Sequence, residues 1–382
     1  MIYLDYAATT PMSDKAMEVY VNVAKHYFGN ASSLHETGSS AKQIKEASAK
    51  AIAGALNAHP KDIHFTSGAS ESNFLAIYAL LEGSKKEGKH IIATAIEHSS
   101  VKNVFERLEG EGYEVSWLGV NQEGRVELSE LNQLVREDTV LVSVQQVNSE
   151  IGTIQPISEI GNYLQEKEIL FHTDVVQAFG KIAIDVNALN VDALCISSHK
   201  IYGPKGMGAV WLKPGSDWKP FFDDITQNKK LKTGTDNVPG MAAFATAAKQ
   251  TQDMRQAEFD RISYLRSRFI EQLKELDHEC VVEGSEDHQS PFILGVRFPG
   301  MEGQFMMLEC DQAGLAISTG SACQVGSEKP NRTMKALGYE DEQAREFVRF
   351  SFGKDVKEDD LGEIIHKIDT ILTRHFKKVR RT

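Results

Sequence analysis

No run of about 18 consecutive apolar residues occurs in the chain, so no membrane span is expected. Cysteine is scarce. Four residues carry a thiol (Cys195, Cys280, Cys310 and Cys323), and none stands at CxxC or CxxH spacing. A disulfide framework and a zinc or other metal site are therefore not expected, and a reducing cytosol is the default compartment. The start, MIYLDYAATTP, lacks the basic segment and apolar core of a signal peptide and reads as strand. Positive charge is in deficit: 42 Lys and Arg against 54 Asp and Glu give a net charge of -12. That balance argues against a general nucleic-acid-binding surface. Internal repeats and low-complexity tracts are absent. What is left, 41% hydrophobic and 25% charged residues, is the composition of a soluble globular protein. A length of 382 residues suits two domains better than one core.

From Ile63 to Trp211, strand-like and helix-like segments alternate, which predicts βαβ units and a mainly parallel sheet. Helices are expected over 17–28, 40–56, 129–135 and 157–165. A long helical pattern over 241–276 reads as a connection between domains. Beyond it, strand 291–298, helices 302–311 and 330–336 and a final amphipathic helix 357–379 make an α+β unit.

The chain is organised around 171–206. One apolar run, Ile169–Phe171, delivers His172, Thr173 and Asp174 at its carboxyl end. A second, Val191–Ile196, delivers Ser197, Ser198, His199 and Lys200. Ligands of open α/β sheets sit at the carboxyl ends of strands, so Asp174 and Lys200 can converge on one pocket. An amine that forms a Schiff base and a carboxylate that keeps a pyridine nitrogen protonated are what pyridoxal phosphate needs. The plainer reading is an ordinary strand-end Asp and a surface Lys. Three further stretches carry the same kind of choice. Phe65-Thr66-Ser67-Gly68-Ala69-Ser70-Glu71 is a strand, a small-residue turn and a helix start, either a capped helix or a phosphate cradle. His98 ends another strand, as a structural histidine or one that stacks on a planar cofactor. Cys323, in Ser318-Thr319-Gly320-Ser321-Ala322-Cys323, is an incidental thiol or an accessible nucleophile. Cys195, between Leu194 and Ile196, reads as a core residue.

Taken in order, these motifs resemble the cysteine desulfurases of the NifS/IscS type, in the class-V aminotransferase branch of fold-type I pyridoxal-phosphate enzymes. The resemblance runs over essentially the whole chain. It rests on Tyr3–Pro11, Phe65–Asn73, Glu97-His98, Val147–Gly152, His172–Gln177, Ser197–Gly206 and the Ser318–Cys323 loop. It implies an α/β fold, with a large domain at 14–250 built on a mainly parallel seven-stranded sheet. Residues 1–13 and 251–382 would form a smaller α+β domain that carries the cysteine loop. It implies pyridoxal phosphate bound to Lys200, Asp174 on the pyridine nitrogen, His98 on the ring face and Gln177 on the phenolic oxygen. Ala69, Ser70, Ser197 and His199 would hold the phosphate, with Thr235 reaching in from a second subunit of a homodimer. Asn148 and Arg349 would hold the substrate carboxylate. The implied reaction takes sulfur from L-cysteine, releases L-alanine and leaves a persulfide on Cys323 for an acceptor protein.

Three departures from the family pattern stand out. Asp224–Asn228 replaces a glycine-rich run, Lys232 stands where Arg is usual, and Ser198 replaces a Gly or Ala. The chain ends at Arg381-Thr382 without the extension that iron–sulfur relatives use to dock a scaffold. The expected acceptor is therefore a tRNA sulfurtransferase, with an iron–sulfur scaffold as the other choice; direct nucleic-acid contact is not expected. Selenocysteine lyase or another class-V enzyme, or a degenerate binding partner, remain as other readings. Cys323 in its full motif favours desulfuration.

Overall fold

The structure is a computed structural model in which residues 1–221, 231–320 and 330–379 are described. The first half of the chain alternates as its pattern predicts. In chain order come β1 (Ile2–Tyr3), α1 (Asp14–His26), α2 (Glu36–Leu56), β2 (Ile63–Thr66), α3 (Ala69–Gly83), β3 (His90–Thr94), α4 (Ser99–Gly110) and β4 (Glu114–Leu118). Then follow α5 (Leu128–Leu134), β5 (Thr139–Ser143), α6 (Ile157–Glu166), β6 (Leu170–Asp174), α7 (Val186–Leu189), β7 (Ala193–Ser197) and β8 (Gly208–Leu212). Seven of these strands form one sheet in the order β2-β8-β7-β6-β5-β3-β4. The pairs from β7 to β4 are parallel, and β8 runs antiparallel to both neighbours. Every residue of β3, β5, β6 and β7 except Leu170 is buried. Strands covered by helices on both faces read as continuous apolar runs, which is why the sequence marks them clearly.

The remainder is α8 (Val238–Lys274), β9 (Val281–Glu283), β10 (Ile293–Arg297), α9 (Gly303–Gln312) and β11 (Leu315–Ala316). After them come α10 (Arg332–Ala336), α11 (Asp341–Arg345), β12 (Phe347–Ser351) and α12 (Glu358–Val379). Strands β12, β10 and β9 form an antiparallel sheet. The 37 residues of α8 span about 56 Å and join two cores. Met241, Ala243, Phe244, Ala247 and Ala248 pack with the large sheet. Ile262, Leu265, Phe269 and Leu273 pack with the smaller one. The first residues of the chain belong with the last: β1 pairs parallel with β11, Ser351 N–H donates to the Leu4 carbonyl, and Leu4 is in the second core.

Helix ends differ from the periodicity by a few residues because capping, which hydrophobic spacing does not see, sets them. Ser13 caps α1, whose first turn therefore begins before Met17. His35 caps α2, moving its start from 40 to Glu36. Strand β5 stops at Ser143, short of the Val147 that the apolar run suggests, because the chain turns away there and Gln145, Val147 and Ser149 line the site. Helices α4 and α11 and strand β12 are elements that the pattern alone did not separate. Among the described residues, no helix is long and apolar enough to cross a membrane, and no three potential ligands gather around a metal position.

Candidate functional site

Strands β2, β3, β5, β6 and β7 all end at one edge of the large sheet, and their following loops open into a cavity of about 470 Å³. Asp174 is the last residue of β6. Lys200 closes a short 3-10 turn, Ser198–Lys200, directly after β7. His98 caps α4 after β3, and Ser67-Gly68 lead from β2 into α3. Ala69, Ser70, His98, Asp174, Gln177, Ser197, His199, Lys200 and Arg349 all line this cavity. Arg349 comes from β12 in the second sheet, so both halves of the molecule contribute.

Two of the expected residues do not line this cavity. Asn148 is buried and does not line the cavity. Its Oδ1 accepts from the N–H groups of Glu150 and Ile151 at 2.9 Å, and its Nδ2 donates to the Ile96 carbonyl at 3.3 Å. Thr235 lines an adjoining cavity that shares Ser67 and Gly206 with the first. Cys323, and with it the 224–228 segment, lies outside the described residues. Lys232, one of the departures, forms an ion pair with Glu71 at 2.8 Å and so ties 231–235 to the first turn of α3.

The polar groups of the cavity are held from behind. Lys200 Nζ donates to the carbonyls of Ala7 and Ala8 at 2.6 and 2.7 Å. Asp174 Oδ1 accepts from Val176 N–H at 2.9 Å, and Oδ2 accepts from Asn73 Nδ2 at 2.8 Å. Gln177 donates through Nε2 to the Ala7 carbonyl at 2.9 Å and accepts at Oε1 from Lys181 Nζ at 2.8 Å. Burial, with Lys200 and Arg349 nearby, pulls the Lys181 ammonium down to about 7. Arg349, only 2% exposed, donates to Asp5 Oδ1 at 2.7 Å and to the Ser149 carbonyl at 2.8 Å. Its Nε is buried without a partner. Burial lowers His98, against an opposing pull from Asp174, and burial next to Lys200 and Lys205 lowers His199 to about 4. Both rings are therefore neutral near pH 7.

These residues suit pyridoxal phosphate on four counts. Helix α3 has no side-chain cap, and its N-terminal N–H groups face the cavity as an anion site. Its N-cap, Gly68, has φ +148°, a conformation open in practice to glycine alone. A Cβ at Gly208, on neighbouring β8, would come within 2.8 Å of the Gly68 backbone, so two glycines let this turn form. The Ser197 hydroxyl is buried without a partner, an acceptor or donor that a phosphate would satisfy. Amine and carboxylate, Lys200 and Asp174, line the same space.

Sequence reasoning missed the supporting residues. Asn73, Ser100, Lys181, Asp5 and Glu97 each contact or adjoin a cavity residue. Asn73 is the last polar residue before the apolar run Phe74–Leu81, one helical turn beyond Ala69, where it reads as part of the helix cap. Glu97 is fully buried. Burial, with Asp174 adding to it, raises its carboxyl to about 8 even though Thr94 and the Gln145 N–H donate to it.

The family model for class-V aminotransferases matches residues 2–364. NifS of Bacillus subtilis, provisionally named a cysteine desulfurase, is 44% identical over 368 residues, 96% of this chain and 93% of its own length. Cysteine desulfurase IscS 1 of Archaeoglobus fulgidus is 36% identical over 374 residues, 98% of this chain and 97% of its own. The solved structure of a NifS-like protein is similar at a TM-score of 0.90 and 31% identity, covering 97% of this chain and 99% of that one.

Proposed function

The chain belongs to the class-V aminotransferase family, and from that premise and its NifS and IscS relatives we propose that it is a pyridoxal-phosphate-dependent cysteine desulfurase. It takes sulfur from L-cysteine, releases L-alanine and leaves the sulfur on Cys323. The observation that carries the reading is the meeting of Lys200 and Asp174, from adjacent strand ends, in one cavity with His98.

Bound pyridoxal phosphate supplies an electron sink that makes the substrate α-proton acidic. Lys200 would hold the cofactor through its Nζ, and that amine, when free, would take the proton from the substrate α-carbon. Asp174 holds the pyridine nitrogen protonated. Gln177 orients the phenolic oxygen, and its free N–H is the donor because Lys181 occupies its carbonyl. Ala69, Ser70, Ser197 and His199 hold the phosphate, and Thr235 of a second subunit completes that grip in a homodimer. Arg349 binds the substrate carboxylate through its planar fork; Asn148 acts behind it by fixing the turn at Glu150 and Ile151. The Cys323 thiolate attacks the substrate sulfur. An S–S bond would form as the C–S bond breaks with its electron pair left on carbon; a proton delivered to that carbon and return of the α-proton from Lys200 would complete alanine, with His98 lining the same cavity.

The proposed division is a large domain at 14–250 and a small one at 1–13 and 251–382, supported by the two cores that α8 joins. The proposed setting is the cytosol, with a tRNA sulfurtransferase favoured over an iron–sulfur scaffold as acceptor. The test is Cys323→Ala. Alanine and sulfide release from L-cysteine should vanish while the visible absorbance of bound cofactor stays. Retained turnover with selenocysteine would favour the lyase reading instead. Trapping the persulfide and offering both acceptors decides between them, and equal rates to each would overturn a dedicated acceptor.

A further inference from the structure

Asp174 and His98 are joined by a continuous chain of hydrogen bonds that runs behind the cavity. The Asn73 amide has two N–H donors. One goes to Asp174 Oδ2 and the other to Ser100 Oγ, both at 2.8 Å. Asn73 is fully buried, and its Oδ1 has no partner. The carboxylate settles the amide's orientation, because an ionised Asp174 accepts only and the opposite flip would set carbonyl against carboxylate. Since Ser100 Oγ accepts from Asn73, its own hydrogen is free for His98 Nδ1, 2.8 Å away. The Ser100 backbone N–H also donates to that nitrogen, at 3.2 Å. A backbone N–H cannot accept, so Nδ1 is the lone-pair nitrogen of the neutral ring. The proton of His98 then sits on Nε2.

We propose that Asn73 and Ser100 are positioning residues that lock His98 in the Nε2–H tautomer and tie its ring to the carboxylate facing the cofactor nitrogen. The inference rests on the reading of Asp174 and His98 as cofactor contacts. The chain is a clamp and not a proton wire, because an amide N–H does not pass its proton on. It fixes which nitrogen His98 presents to the cavity, and it holds Asp174 by a neutral donor that leaves the carboxylate charge intact for the pyridine nitrogen. A cation in the place of Asn73 would satisfy Asp174 too, but would compete with the cofactor for its charge.

The experiment uses the holoenzyme with ¹⁵N-labelled histidine and the variants Asn73→Ala, Ser100→Ala, Ser100→Thr and the Asn73→Ala/Ser100→Ala double. The His98 resonances of the parent should report a protonated Nε2 and a bare Nδ1. Each alanine variant should lower kcat for alanine formation roughly tenfold, the scale of one lost hydrogen bond at a charged or reacting group, with KM for L-cysteine little changed. The double variant should lose no more than the worse single, because both break the same chain. Ser100→Thr, which keeps the hydroxyl, should recover most of the parent rate. A protonated Nδ1 in the parent, losses that multiply in the double, or a Thr variant no better than the Ala variant would overturn the proposal. Failure of the underlying reading shows separately: Lys200→Ala would then keep the parent's visible absorbance and its activity.

Discussion

Glu97 is a carboxylic acid that the fold keeps protonated at neutral pH, and this makes a measurable demand on stability. Its side chain is fully buried; Oε1 accepts from Thr94 Oγ1 at 2.8 Å and from Gln145 N–H at 2.7 Å, while Oε2 has no partner. Burial is the main cause of its rise from 4.5 to about 8, with Asp174 adding to it and Arg332 opposing. The folded carboxyl binds its proton more tightly than the unfolded one. Its stabilising effect is therefore complete below the unfolded value and disappears as pH rises through about 8. Between pH 6 and pH 8 the parent should lose about 2 kcal/mol from this group alone, approaching the limiting slope of about 1.4 kcal/mol per pH unit. Glu97→Gln keeps the size and one acceptor and cannot ionise. Urea unfolding of the parent and the variant, at matched saturating cofactor and several pH values, isolates the effect, because the other titrating groups largely cancel in the difference. The variant should gain on the parent steadily as pH rises. A difference that stays flat from pH 6 to pH 8 would refute a protonated Glu97 and mean that its neighbours support an ionised carboxylate.

Lys200→Ala should abolish the covalent cofactor band and alanine formation together, read by absorbance and a coupled amino-acid assay. Arg349→Lys keeps a charge beside Asp5 but loses the fork, so KM for L-cysteine should rise roughly tenfold with a smaller change in kcat. Arg349→Met leaves Asp5 without its cation and should also cost about 3 kcal/mol of stability by denaturant unfolding. Gly68→Ala forces a Cβ into a φ of +148°. It should destabilise by about 1–3 kcal/mol and weaken cofactor binding measured by dialysis, with the substrate clamp untouched.

What the sequence makes legible follows from how each residue is placed. Asp174 and Lys200 stand at the ends of apolar strands, and a strand end is visible as the point where an apolar run meets polar residues. Gly68 is visible for the related reason that the turn demands glycine. The supports are hidden. Asp5 and Arg349 are 344 positions apart, and no local pattern pairs them. Asn73 lies inside a helix start where a polar residue reads as part of the cap. Asn148 is marked as a site residue by its motif, and in the structure its side chain bonds to Glu150, Ile151 and Ile96 behind the cavity wall. The Gly and Ser neighbours of Cys323 mark it only as a candidate nucleophile, and it lies outside the described residues.

The N-terminal segment explains how two separate cores maintain one site. Ala7 and Ala8 supply the carbonyls that hold Lys200, and Ala7 also receives Gln177. Two residues earlier, Asp5 holds Arg349. The same segment is fastened to the second unit by the β1–β11 pairing, by the Asp5–Ser351 bridge and by the Ser351 hydroxyl, which accepts from Ala7 N–H at 2.9 Å. Lys200 and Gln177 belong to the large sheet, whereas Arg349 belongs to the small one. A shift of the small sheet would therefore carry Arg349, Asp5 and the carbonyls of Ala7 and Ala8 together. The amine and the carboxylate clamp keep their spacing because both are referenced to one N-terminal segment, not to each other's sheets. That common reference accounts for a chain whose first residues pair with its last, while Ala7 packs into the large-sheet core.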